Sequence, residues 1–147
     1  MARVCTYLNF SRNTEEVFKF YQSIFEGEFT RGGIARFRDI PPTEGAPQIA
    51  EEDKDLVMHI ELPILGGHVL MGTDAPESMG FNVNFGNNIH IMLEPDSREE
   101  TKQLFDAISD GGQITMKLQN MFWGSYYGSC IDKFGVQWMF NCTENSK

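Results

Sequence analysis

The stretches "NTEEVFKFYQSIF" (13–25) and "DSREETKQLFDAISDGG" (96–112) are one design written twice. In the first, Val17, Phe20, Tyr21, Ile24 and Phe25 fall at three- and four-residue spacings, an apolar stripe that predicts an amphipathic helix. Asn13 or Thr14 is expected to cap it, Glu15 and Glu16 suit the positive end of its dipole, and Gly27 is expected to stop it. In the second, Asp96 or Ser97 caps, Glu99 and Glu100 fill the first turn, Leu104, Phe105 and Ile108 form the stripe, and Gly111–Gly112 ends it. A shift of 84 residues lays Glu15–Glu16 on Glu99–Glu100, Phe20–Tyr21 on Leu104–Phe105, and Gly27 on Gly111. One offset shared by first turn, stripe and stop points to an internal duplication.

Strand signals surround each helix. "VCTYLNF" precedes the first, and "EFTRGGIARFR", "DLVMHIEL" and "HVLMGTD" follow it. "NIHIMLE" precedes the second, and "QITMKLQ", "SYYGSCI" and "VQWMFNC" follow. Reversals are expected at Gly66–Gly67 and at Asp132–Gly135. Each half thus reads strand–helix–strand–strand–strand, an α+β arrangement of tandem βαβββ modules. The Pro- and acid-rich 39–55 reads as a surface loop, and 75–86 as the linker between halves. At 147 residues the chain is most economically a single domain, 1–147, with module one at about 1–75 and module two at about 86–143.

The bulk chemistry narrows the partners. Twelve Lys and Arg against 21 Asp and Glu give a formal charge of −9. That balance, with no basic run, argues against nucleic acid and against an anionic membrane surface. No segment has the apolar length of a signal peptide or a membrane span, so a cytoplasmic location is expected. Cys5, Cys130 and Cys142 lie in apolar stretches without a CxxC pair, which fits free thiols in a reducing compartment. No phosphate loop and no dinucleotide-type glycine turn occurs. The pattern is also not a doubly wound sheet, so methyl transfer from S-adenosylmethionine is not expected. No Ser/His/Asp or Cys/His nucleophile set is readable.

The duplicated modules, with "YLNF…NTEEVFKFYQSIF", "KDLVMHIEL", "LMGTDAPE", "LFDAISDGG" and "MKLQNMFWGSYYGSCIDKFGVQWMFNC", closely resemble the PhnB-like branch of the vicinal oxygen chelate superfamily. That superfamily includes glyoxalases, extradiol dioxygenases and bleomycin resistance proteins. The resemblance covers essentially the whole chain. It implies a cup-shaped mixed sheet, the glyoxalase/bleomycin resistance fold, often dimeric, with a metal held by two His and two Glu from the strands. Carried over position by position, it puts Thr6 or Tyr7, Met71, His90 and Met139 at the four ligand positions. Only His90 is of the expected type. One imidazole with two thioethers and a hydroxyl suits no hard or borderline divalent ion, so no metal and no cofactor are expected.

The candidates then divide. His90 alternates with Ile89, Ile91 and Leu93, which predicts that it faces the cup as a hydrogen-bonding or acid–base group, or else is satisfied by a nearby carbonyl. His59 and Glu61 stand two apart on one strand; they could form an imidazole–carboxylate pair that poises a base, but that spacing alone does not bring them together, and a partly solvated strand face accounts for them as well. His68, after Gly66–Gly67, reads as exposed turn. In "MFWGSYYG" (121–128), Phe122, Trp123 and Tyr126 form an aromatic wall or an interface, with Trp123 near the pocket, and Trp138 reads as core.

The expected function is binding of an unidentified small molecule, without metal and without catalysis, by a homodimer. The expected pocket is Met71, His90, Gln137, Met139 and Asn141, with Trp123 at its rim. The alternative is a metal-dependent lyase, isomerase or dioxygenase using a rearranged set of His59, Asp74 and His90.

Overall fold

Both apolar stripes fold as helices of 12 residues, α1 (Thr14–Phe25) and α2 (Arg98–Ser109). The structure is a computed structural model and describes residues 2–41, 45 and 48–143. Around α1 stand β1 (Thr6–Phe10), β2 (Ala35–Arg36), β3 (Val57–Pro63) and β4 (Val69–Asp74). Around α2 stand β5 (Ile91–Leu93), β6 (Gln113–Asn120), β7 (Tyr126–Ile131) and β8 (Gln137–Cys142). The chain divides into two compact units between Asn84 and Phe85.

The duplication extends to sheet order. The first sheet runs β1-β4-β3-β2 and the second β5-β8-β7-β6. In each, the strand before the helix lies parallel to the last strand of the unit, and the other pairings are antiparallel. The class is therefore α+β, built from two βαβββ units.

One face of each sheet packs on its helix. A Cβ on Gly72 would stand 2.5 Å from the Phe18 ring, and a Cβ on Gly128 would stand 3.1 Å from that of Phe105. Strand alternation then puts Leu70, Gly72 and Asp74 on the helix side of β4, with Met71 and Thr73 on the opposite face. In β8, Trp138, Phe140 and Cys142 are buried on the helix side. Phe105 meets Phe140 edge to face, with centroids 5.2 Å apart. Trp138 is core, as its sequence position suggests.

Several local expectations are corrected. The buried stripe of α1 is Thr14, Val17, Phe18 and Tyr21, so Phe18 replaces Phe20 as the aromatic that fills the space over Gly72. Asn13 makes no side-chain cap on α1. Asp74, at the far end of β4, takes that role: its carboxylate accepts from the backbone N–H of Thr14 at 3.0 Å and of Val57 at 2.8 Å. α2 is capped locally by Ser97, which accepts from the Glu100 N–H at 3.1 Å. Glu26, in left-handed conformation, ends α1 one residue before Gly27.

The strand expected over 28–38 shrinks to Ala35–Arg36, because Arg31, Gly32 and Gly33 all take positive φ. In the 39–55 loop, residues 42–44 and 46–47 lie outside the described residues. Within that loop Asp53 is buried and receives the Arg12 guanidinium at 2.8 Å and the Ser78 hydroxyl. Asp132 organises the last hairpin. Its carboxylate accepts from the Phe134 and Val136 N–H groups and from the indole N–H of Trp138 at 3.0 Å. The three cysteines are free, and burial pushes the Cys130 thiol up to about 12. Among the described residues no helix is long and apolar enough to cross a membrane.

Candidate functional site

The face of the first sheet turned away from α1 carries a connected polar group. Register pairs Tyr7 with Met71 and Glu61 with Met71, so three adjacent strands bring Tyr7, Met71 and Glu61 side by side. His59 joins Glu61 on the same face, two residues along β3. Its Nε2 lies 2.9 Å from Glu61 Oε2 and its Nδ1 3.3 Å from the Tyr7 hydroxyl. An ionised carboxylate only accepts, so Nε2 carries the proton toward Glu61. In the neutral ring Nδ1 then accepts from Tyr7.

Glu61 is 3% exposed, and a buried carboxylate needs compensation. It receives it from outside the strand. Arg31 Nε stands 2.9 Å from Oε2, and an Arg3 guanidinium nitrogen stands 3.7 Å from Oε1. The turn that presents Arg31 is tied to the same residue, because Thr30 N–H donates to the Glu61 backbone carbonyl at 3.0 Å. Burial, ahead of the Glu61 charge, raises the Tyr7 phenol above its ordinary pKa, against an opposing hydrogen bond with Thr73. The Thr73 hydroxyl also donates to the Met58 carbonyl at 2.8 Å.

The strand reading of His59 and Glu61 as a solvated face is thus corrected: the two side chains meet, and Glu61 is buried. His68 is corrected too, since its Nε2 lies 2.8 Å from the Thr6 hydroxyl and the ring is half-buried. Of the two residues offered for the first ligand position, the register selects Tyr7. Thr6 pairs with Leu70 on the helix side.

The second unit repeats the register without the buried carboxylate and its arginines. Met92 pairs with Met139 across parallel strands, as Tyr7 pairs with Met71. Met139, Gln137 and Asn141 share the helix-free side of β8. Gln137 donates to the Ile89 carbonyl at 2.8 Å, and Asn141 donates to the Glu94 carboxylate at 3.2 Å. His90 precedes β5 and is exposed, and Ile89, which alternates with it, is 76% exposed. Trp123 lies in the turn before β7 and packs against Tyr127 with centroids 6.3 Å apart. Tyr127 pairs with Asn141 on the helix-free face. Tyr126 pairs with Cys142 on the helix side, under the Arg98 guanidinium at 3.9 Å. The aromatic wall on the helix-free face therefore gains Tyr127 in place of Tyr126, a choice that strand parity alone decides.

The donor set does not fit the superfamily's metal. The register-matched central positions are Tyr7, Met71, Met92 and Met139. Among the described residues no group of three or more His, Cys, Asp or Glu stands where it could hold a metal ion. The rearranged set fails on geometry as well. Asp74 lies on the helix side of the first sheet, engaged with two backbone N–H groups, while His59 lies on the other face.

This architecture is that of the glyoxalase/bleomycin resistance/dioxygenase class. A protein of that class from Burkholderia phytofirmans PsJN superposes over 95% of this chain and 98% of its own with a TM-score of 0.62 at 16% identity, a likeness of fold alone. Within the class, the family described as 3-demethylubiquinone-9 3-methyltransferase matches residues 2–140, and the chain belongs to that family, on its PhnB-like branch. Protein PA1353 from Pseudomonas aeruginosa is 31% identical with a TM-score of 0.81, covering 99% of this chain and 100% of its own. The PhnB protein from Bacillus cereus is 25% identical with a TM-score of 0.71, covering 96% and 99%.

Proposed function

We propose that the protein binds a small organic molecule on the helix-free faces of its sheets and does so without a metal ion. The observation that carries this reading is the Tyr7–His59–Glu61 network, closed by Arg31 and set beside Met71. A buried carboxylate held by three side chains is costly to build, and here it sets a connected polar network on a face that carries no helix. The thioethers of Met71, Met92 and Met139 supply adaptable apolar contact at the register-matched central positions. On the second unit's own helix-free face, Gln137 and Asn141 stand with Met92 and Met139, and His90 and Trp123 at its margins belong to the same proposal. A homodimer and a cytoplasmic location belong to the same proposal, supported by exposed Phe122 and Trp123 and by an acidic surface.

Two measurements test this. Protein purified without a histidine tag, and again after incubation with Zn, Fe, Mn and Ni, is expected to retain well under one metal ion per chain by plasma mass spectrometry. Stoichiometric metal would overturn the metal-free reading. A ligand screen by thermal shift is expected to give hits whose stabilisation follows ligand concentration. His59→Ala should abolish those shifts while leaving the circular dichroism spectrum unchanged. Hits that persist in His59→Ala would remove the network from the binding face.

A further inference from the structure

We infer that the Arg31–Glu61–Arg3 cluster on the helix-free face of the first sheet is an anion-recognition site, taking a small ligand with one carboxylate- or phosphate-type headgroup on an apolar body. The inference rests on the small-molecule reading above and names the ligand's chemistry. Two guanidinium groups share one carboxylate, so the cluster carries an excess of one positive charge within a chain of formal charge −9. Glu61 is almost fully covered, whereas the side chains of Arg31 and Arg3 are 71% and 50% exposed. A ligand approaching this face therefore meets cations first.

Arg31 engages Glu61 through Nε, which leaves its two terminal amino groups directed to other acceptors in the planar fork that suits a carboxylate or phosphate. Its backbone reinforces the point. Arg31 has φ 55, in the left-handed region that is unfavourable for a non-glycine residue, although glycines stand at the next two positions. The turn that imposes this is closed by Gly33 N–H donating to the Thr30 carbonyl at 3.3 Å and anchored by Thr30 on Glu61. The strained residue is the one whose side chain reaches the cluster. Met71, the cross-strand neighbour of Glu61, and the Tyr7 ring beside it provide the apolar floor for the ligand's body.

The test uses the full chain labelled with 13C at the methionine methyls and four probes of one shape: benzoate, phenyl phosphate, neutral benzamide and cationic benzamidine. Saturable movement of the Met71 methyl signal is expected with benzoate, with phenyl phosphate, or with both, and the stronger of the two assigns the headgroup. Benzamide and benzamidine should bind at least about tenfold more weakly, the scale of one charge-assisted hydrogen bond. Arg31→Gln should weaken the anion by a similar factor, while Arg38→Gln, whose partners Asp55 and Glu51 lie outside the cluster, should leave it unchanged. Arg3→Gln provides the same test should Arg31→Gln fail to fold. Benzamide binding as tightly as the anions, or anions indifferent to both arginines, would overturn the inference and leave the binding face standing. If no probe moves Met71, the inference falls, and the thermal-shift screen with His59→Ala still decides the binding face.

Discussion

In the first sheet Tyr7 and Met71 stand side by side on parallel strands, and in the second Met92 and Met139 occupy the matching places. Topology and register agree, yet the surroundings differ. Met71 is flanked by a buried glutamate, an imidazole, a phenol and two guanidinium groups. Met139 is flanked by Gln137, Asn141 and Ser129, none of them charged. A duplicated frame has kept its hydrogen-bond ladder and lost its symmetry of side chains. The two units thus present different side chains on matching faces, ion-paired around Met71 in the first and amide and thioether around Met139 in the second.

The same asymmetry runs through how each unit is held. Each has a buried aspartate that gathers N–H groups, but Asp74 joins a strand to the start of α1 while Asp132 closes a hairpin over Trp138. Asp132→Ala strands a buried indole N–H and two turn amides, and we expect a loss of about 4 kcal/mol in urea unfolding. Asp74→Ala strands two amides and should cost about 3 kcal/mol. If the two variants instead unfold with equal and small losses, the buried carboxylates are not what organises the units.

Gly72→Ala sharpens the contrast in packing. Its Cβ would meet Phe18, which is fully buried, at 2.5 Å, and we expect a loss of about 2 kcal/mol; Gly128→Ala, with contacts of 3.0 Å and longer, should lose less. Ser97→Ala, the local cap of α2, should cost about 1 kcal/mol. A Ser97 effect matching that of Asp74 would erase the distinction between the two caps.

The last contrast is a titration confined to the first unit. Hydrogen bonds from Arg36 and Lys19 lower the Glu15 carboxyl from 4.5 to about 2. A folded-state pKa below the unfolded one stabilises the fold above pH 4.5, and that stabilisation disappears as pH falls toward about 2. Glu15→Gln should therefore flatten the stability profile in that window and nowhere else, read from urea midpoints.

Much of this was legible in the sequence because it is periodic. The 84-residue offset, the eight strands and the core position of Trp138 all follow from spacing. Parity placed Met92 on the helix-free face, but β5 starts at Ile91, so His90 stands outside the ladder and exposed. Tyr126 and Tyr127 are equally aromatic, and only the pairing with Cys142 and Asn141 sorts them. The site itself was least readable, because Glu61 is completed from Arg3 and Arg31, residues outside its strand and far from it in sequence. No local pattern in "VMHIELP" announces those partners.

The cap on α1 also has a consequence in time. The carboxylate that finishes this helix is made 60 residues after the amide it receives, whereas Ser97 immediately precedes the helix it caps. During synthesis α1 is made before Asp74 exists, and its first turn is completed only when the last strand of its unit has been delivered. The first unit closes as a whole, while the second carries the start of its helix ready-made.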